Sequence, residues 1–474
     1  MKKEYSRRTF LQQCSMGVSA LAAASWCSCQ KSPKKPNIIF LLTDDQRWDT
    51  LGATGNTLIQ TPQMDRLAAE GVLFRNAFVT TAICVTSRAS IFLGQYARRH
   101  QINDFDQDFT PEQLLNTYPL QLKAHGYRIG FIGKYGVGRN LPAQQYDYWQ
   151  GIPGQPTYET TDENGEPIHC TRLFGKQALE FLRSSSPDQP FCLSVSFKAP
   201  HVQDGDPRQF IPDPAYDSLY QDVTIPPPKT ATVAHYEALP DFLKSENSMP
   251  RKRWHLRFKN PELYQKMVKN YYRLISGVDD VLGKIRNELD RLGLADNTVI
   301  ALMGDNGFFL GERGFAGKWY GHEESIRVPL IIYDPRLPQS RRGQVRDEMA
   351  LNIDLAPTFL ELAGISPPAG TQGQSLLPLV NGKSVSWRQD FLYEHIYHVP
   401  AQWREAAGYI PASVGVRTER YKYLRYFEQD PVYEELYDLQ KDPHEERNLV
   451  ANDEYAPVLE KLRARCETLL REKP

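Results

Sequence analysis

Asn37-Ile38-Ile39-Phe40-Leu41-Leu42-Thr43-Asp44-Asp45 sets an unbroken apolar run directly against two carboxylates. Such a run reads as a strand buried on both faces, the kind found in parallel sheets covered by helices. The carboxylates then fall just beyond its C-terminal end, where open α/β sheets bind their ligands. Four further runs share the pattern: Ile129 to Ile132, Cys192 to Phe197, Val299 to Met303 and Pro329 to Tyr333. Helical periodicity occupies the intervals, over Pro62 to Glu70, Leu120 to His125, Leu173 to Arg183 and Tyr264 to Leu292. This alternation predicts an α/β fold with a large, mostly parallel sheet flanked by helices. Beyond about residue 380, alternating stretches at Ser413 to Arg417 and Tyr421 to Tyr426, then an amphipathic Tyr455 to Arg471, predict a smaller C-terminal α+β subdomain with an antiparallel sheet. The expected division is a leader over 1–30, a main domain over 36–380 and the subdomain over 381–474.

The first four runs all end in polar residues: Asp44 and Asp45, then Lys134, then His201, then Asp305 and Asn306. Asp44, Asp45, Asp305 and Asn306 offer only hard oxygen donors, which suit Ca²⁺ or Mg²⁺ and disfavour zinc. Each has a plainer reading when taken alone. Paired aspartates cap helices, Gly304-Asp305-Asn306-Gly307 makes a turn, and lysines are mostly solvated. Their recurrence at successive strand ends argues for one shared site.

With 56 basic and 57 acidic side chains, the chain has no overall field to draw nucleic acid, so an anionic ligand must be held by local charges. Ser6-Arg7-Arg8-Thr9-Phe10-Leu11 precedes a weakly apolar run from Met16 to Trp26, the arrangement of a twin-arginine export signal. The run is too short to span a bilayer, for which about 20 residues are needed. The expectation is a periplasmic or secreted protein with no transmembrane helix in its mature chain; lipid attachment at Cys27 or Cys29 is the lesser alternative. Cys84, Cys170, Cys192 and Cys466 are scattered without metal-ligand spacing, and a disulfide between Cys170 and Cys192 is open in an oxidising compartment. The stretch from Val202 to Pro261 lacks clear periodicity and reads as a lid or rim. Its basic-aromatic run, Arg251 to Lys259, either reads anionic groups on a ligand by charge-assisted hydrogen bonds and stacking or forms a solvated edge.

Ala82-Ile83-Cys84-Val85-Thr86-Ser87-Arg88-Ala89-Ser90 places a cysteine four residues before an arginine at a helix start. With Thr61-Pro62-Gln63-Met64-Asp65-Arg66-Leu67, Lys198-Ala199-Pro200-His201, Gly317-Lys318, Glu323-Glu324-Ser325-Ile326-Arg327-Val328-Pro329-Leu330 and Glu435-Leu436-Tyr437-Asp438-Leu439, the chain resembles the type I, formylglycine-dependent sulfatases of the alkaline phosphatase superfamily. The resemblance implies an alkaline-phosphatase-like fold and a sulfuric ester hydrolase acting on a sulfated oligosaccharide or polysaccharide. It implies that a maturation enzyme oxidises Cys84 to formylglycine, whose hydrated aldehyde is the nucleophile and a metal ligand. It further implies that Asp44, Asp45, Asp305 and Asn306 hold Ca²⁺, that Arg88 steadies the nucleophile, and that Lys134 and Lys318 offset charge on the sulfuryl oxygens. His201, shared with Lys318, is the expected acid for the leaving alcohol. Related proteins act as phosphodiesterases or phosphonate monoester hydrolases, and a catalytically silent binder of sulfated glycans is a third reading.

Two positions depart from the family's pattern. Thr86 stands where the maturation motif has Pro or Ala, and Gly136 stands where Gly-Lys-Trp-His-Leu-Gly has histidine. His322, four residues after Lys318, is the expected replacement for that histidine at the substrate.

Overall fold

The structure is a computed structural model, and it describes residues 34–472. The leader read over 1–30, with Cys14, Cys27 and Cys29, lies outside the described residues. Eight strands form the main sheet: β1 (Asn37–Asp44), β2 (Val72–Phe74), β3 (Arg128–Lys134), β4 (Tyr148–Ile152), β5 (Phe191–Pro200), β6 (Thr298–Gly304), β7 (Leu330–Tyr333) and β8 (Gln344–Arg346). Their order is β8-β2-β7-β6-β1-β5-β3-β4. From β6 to β4 all neighbours are parallel, whereas β7 runs antiparallel to both β6 and β2. The short strands β2, β4 and β8 escape the sequence reading.

Side chains alternate between two cores, as a pleated strand requires. In β1, Ile38, Phe40 and Leu42 join one apolar cluster, while Ile39 and Leu41 join the other. The first cluster receives α1 (Cys84–Leu93) and continues without a break into Phe391, Leu392, Val416 and Leu436 of the C-terminal sheet. That sheet is antiparallel, in the order Asp390–His395, Ser413–Thr418, Tyr421–Tyr426, Tyr433–Asp438. The position near 380 thus separates two sheets that share one core. The second cluster packs against α2 (Cys170–Arg183) and α3 (Pro261–Arg291). Asn260 caps α3 by accepting from Leu263 N at 2.9 Å, and Pro261 opens its first turn. Its apolar stripe, including Tyr264, Met267, Tyr271, Leu274, Val278 and Val281, follows the helical period.

Cys170 and Cys192 are free and buried, and they belong to opposite faces of the sheet, so no disulfide joins them. No described helix is long and apolar enough to cross a membrane.

Candidate active site

The C-terminal ends of β1, β3, β5 and β6 meet at one edge of the parallel sheet. Asp44 closes β1, and Asp45 follows in the left-handed backbone region at φ 66, a sharp turn that folds its carboxylate back over the strand ends. Asp305 and Asn306 follow β6, where Asp305 N donates to Thr43 O at 2.9 Å and Asp45 N donates to an Asp305 carboxylate oxygen at 3.1 Å. The two carboxylate segments, more than 250 residues apart in the chain, are laced together by backbone amides.

Cationic groups enter from three directions. Lys134, at the end of β3, donates from Nζ to Asp44 Oδ2 at 2.5 Å. Lys318 pairs with Asp45. Arg88 lies one helical turn after Cys84 on α1, so the two share a face. Its Nε donates to Asp305 Oδ2 at 2.9 Å and its Nη1 to Lys134 O at 2.6 Å. Asn306 Nδ2 donates to Asp45 Oδ1 at 2.7 Å, and Gln155 Nε2 to Asp44 Oδ2 at 3.2 Å. His201 donates from Nδ1 to Val202 O at 2.7 Å when neutral, which leaves Nε2 facing Asp45 Oδ2 at 3.5 Å. Cys84 is 3% exposed and lies within electrostatic reach of Arg88 and Lys318.

The electrostatics follow from burial opposed by these pairs. Burial alone would raise the Asp44 carboxyl, but Lys134, His201, Lys318 and Arg88 hold it well below its ordinary value. Burial and the Asp44 charge instead push Asp305 up to about 6. Burial pulls His201 down to about 4 against Asp45 and Asp44, so its imidazole is neutral at pH 7. Burial opposes the Lys318 ammonium, yet Asp45, Cys84 and Asp44 raise its value overall.

Three carboxylates thus face three cations, Arg88, Lys134 and Lys318, and the cluster is neutral. An entering anion would leave it short of positive charge. Asp44 Oδ1 and Asn306 Oδ1 are buried oxygens with no hydrogen-bond partner among the described residues, and Asp44, Asp45 and His201 bring ligand atoms within 4.8 Å of one another. Orphaned hard donors beside a charge deficit fit a divalent cation.

A cavity of about 330 Å³ opens over Lys134 and Gly136, walled by Phe105, Asp106, Arg139 and Gln155. It is sized for a small ligand. The larger cleft of about 730 Å³ around His169, Arg208 and Lys266 contains none of these site residues.

The sulfatase family model matches residues 36–365, well over half of the chain. The chain belongs to the sulfatase family. Residues 311–472 also match the C-terminal model of N-sulphoglucosamine sulphohydrolase. This sulfatase is similar to an N-acetylglucosamine-6-O-sulfatase of Bacteroides thetaiotaomicron, 29% identical with 93% of this chain and 87% of the relative covered. It is similar to an arylsulfatase of Clostridium perfringens, 28% identical with 90% and 93% covered. A solved structure in complex with its substrate D-glucosamine-2-N,6-O-disulfate superposes with a TM-score of 0.77 at 27% identity, covering 93% of this chain and 98% of the other. The phosphonate monoester hydrolase of Silicibacter pomeroyi shares the fold, at a TM-score of 0.78 and 21% identity over 93% of this chain and 96% of the other. The sulfatase is therefore a hydrolase.

All the expected residues converge except one. His322 of this sulfatase is fully buried among Phe309, Tyr320 and Tyr437, with its Nε2 3.8 Å from Glu435. Burial, Arg313 and Lys422 all disfavour its charged form. It belongs to a different ionic cluster, so the expectation that it replaces the histidine missing at 136 is overturned. Gly136 has its own explanation. Its φ is +74, and a Cβ there would lie 2.6 Å from Arg88 Cδ and 3.4 Å from Lys134 Cε. In this sulfatase the space of the missing imidazole is taken by the Arg88 and Lys134 stems. Thr86 is buried with its hydroxyl unpartnered among the described residues.

Gln155 and Ser196 are missed by the sequence reading. Ser196 accepts from Arg88, and a serine amid the apolar residues of β5 was its available signal. Gln155 sits in a loop without any.

Proposed function

We propose that this sulfatase is an exported sulfuric ester hydrolase that removes sulfate from a sulfated carbohydrate, an amino sugar in the light of its relatives' substrates. The observation that carries the reading is the convergence of Cys84, Arg88, Lys134, His201 and Lys318 on one carboxylate cluster. Asp44, Asp45, Asp305 and Asn306, with His201 beside them, would hold Ca²⁺ or Mg²⁺, which when bound supplies positive charge to polarise the ester's sulfuryl group. Formylglycine made from Cys84 by a maturation enzyme would supply the attacking oxygen.

The chain's own side chains do the rest. Arg88, fixed by Asp305 and the Lys134 carbonyl, holds the start of α1 in register with the carboxylates. Lys134 and Lys318 present ammonium groups to the sulfuryl oxygens as negative charge spreads over them. The departing alcohol oxygen needs a proton. Lys318 keeps its protons and donates one to the departing oxygen, and the neutral His201 can accept a hydrogen bond at Nε2 from the alcohol so formed. Cys84 is buried and solvent is held back from the cluster, which strengthens each of these interactions.

The test is mass spectrometry of the tryptic peptide Asn76 to Arg88 from a host with maturation enzymes, joined to turnover of matched aryl sulfate and aryl phosphodiester substrates. Formylglycine at Cys84 with preferred sulfate release is expected, and Cys84→Ala should lose at least about 1000-fold in kcat. Preferred phosphodiester cleavage would favour the phosphohydrolase reading. Unmodified thiol with no hydrolysis would favour the silent binder.

A further inference from the structure

Met249–Arg257 forms a short helix, and its periodicity sorts the basic run into two faces. Arg251 lies between the rings of Tyr236 and Trp254 and pairs with Glu246, which also accepts from His255. That face is satisfied. Arg253 and Arg257, one turn apart, point the other way and share a single carboxylate, Asp204, at 3.7 and 3.9 Å. Neither distance is a hydrogen bond.

Two guanidinium groups against one loosely held carboxylate leave an excess of positive charge. Arg257 is 1% exposed; its Nε donates to Gln209 Oε1 at 2.8 Å, and its Nη1 has no partner among the described residues. Arg253 keeps about a fifth of its side chain exposed and lies over the Trp319 ring at 4.9 Å. Trp319 directly follows Lys318, in the left-handed region at φ 87, and Asp204 lies three residues after His201. Asp204 interacts electrostatically with His201 and Lys318, as Tyr397 does with Cys84 and Arg253. Arg253 therefore stands beside the candidate active site, with the buried Arg257 behind it. Tyr397 packs edge-on against Phe105 at 5.6 Å, which joins this rim to the small cavity, where Asp106 is already neutralised by Arg139.

We infer that Arg253, backed by Arg257, forms, beside the candidate active site, a second anion site that selects sugars carrying a further sulfate or carboxylate beyond the ester that is cleaved. The inference rests on the sulfate-ester reading above. A planar guanidinium held over an indole is pre-organised for contact with such groups. Asp204, the carboxylate that both guanidinium groups share, competes with such a ligand.

Binding to the unreactive Cys84→Ala protein tests this without requiring turnover. Three probes suffice: an N-acetylhexosamine with one sulfate, the same sugar with two, and the monosulfated sugar linked to a uronate. The doubly anionic probes should bind about 10-fold to 100-fold more tightly than the first. Arg253→Gln should erase that ratio, and Asp204→Asn should increase it several-fold, with melting temperature checked for both. A lost packing contact would not produce opposite effects from the two variants. A gain confined to the second sulfate or to the uronate identifies which anion is read. Equal binding of all three probes, or a ratio unchanged by Arg253→Gln, overturns the second site alone. Binding of none of them overturns the sulfate-ester reading as well.

Discussion

Among the ionic clusters buried in the described residues, two serve opposite ends. In the first, Asp44, Asp45 and Asp305 meet Arg88, Lys134 and Lys318 at the strand ends, with oxygens left over. In the second, Lys422 bridges Glu323 at 2.8 Å and Glu445 at 2.7 Å, Arg313 holds Glu324 at 3.1 Å, and Glu445 accepts from the Glu323 amide at 2.9 Å. Glu323 and Glu324 follow the loop past Lys318, whereas Lys422, Glu435 and Glu445 belong to the C-terminal sheet and the turn after it. The second network is thus a joint between two sheets. Buried charge by itself does not mark an active site. Unpartnered buried oxygens occur in both networks; what distinguishes the first is its position at the carboxyl ends of parallel strands and its neighbouring cysteine.

Substitution should separate the two networks. Lys422→Ala removes the ion-pair partner of Glu445 and leaves Glu323 to Arg417 and Arg327, and should cost about 3–5 kcal/mol of unfolding free energy. Properly folded protein at permissive temperature should keep its kcat, as chemical denaturation and turnover measured side by side would show. Lys134→Ala should do the reverse, lowering kcat about 100-fold to 1000-fold through loss of one cation at the sulfuryl group. Equal effects of both variants on activity would dissolve the distinction.

Metal linkage sharpens it further. At a Ca²⁺ concentration 100 times Kd, the protein should gain about 2.7 kcal/mol of stability, visible as a rise in melting temperature that chelation reverses. Asp305→Ala should abolish this gain and Glu435→Gln should leave it. Gly136→His, which restores the family's residue, should lower kcat about 100-fold by displacing Arg88, and an increase in activity would refute the packing explanation.

The smallest effect is one of pH. Burial and Glu445 raise the Glu435 carboxyl to about 8 from an ordinary 4.5, against Arg313 and Lys422. A folded-state value above the unfolded one means that its contribution to stability is full below about pH 4.5, falls by about 1.4 kcal/mol per pH unit above it, and is lost as pH rises through about 8. Glu435→Gln should flatten that decline between about pH 5 and 8 in denaturation curves. Asp44 has the opposite sign. Held low, it stabilises above its ordinary 3.8 and loses that contribution on acidification.

The sequence displays the centre of the fold better than its edges. β1, β3, β5 and β6 are buried on both faces and appear as apolar runs, whereas β2 and β8 are three residues long and carry too little pattern to register. Leu330–Tyr333 is recognisable as a strand, but its antiparallel direction is not, because composition is blind to polarity. Site residues at the strand ends are legible because a carboxylate or lysine after an apolar run is conspicuous. His322 misleads because nearness in sequence to Lys318 stands in for nearness in space, and the intervening turn sends the two side chains to different networks. Gly136 required the Arg88 stem to be seen before its lack of a side chain made sense.

The burial of Cys84 also sets a clock. At 3% exposed on the inner end of α1, it is out of reach of any modifying enzyme once the sheet has closed over it. The pairings that close it join residues some 260 positions apart, such as Asp45 with Asp305, and contacts so distant in sequence form slowly. Under the proposed function, oxidation of Cys84 and completion of the fold are rivals for the same newly made chain, and the active fraction is decided by which finishes first. Coexpressing more maturation enzyme, or slowing synthesis of the segment that carries Asp305, would then raise specific activity without altering one residue of the finished protein.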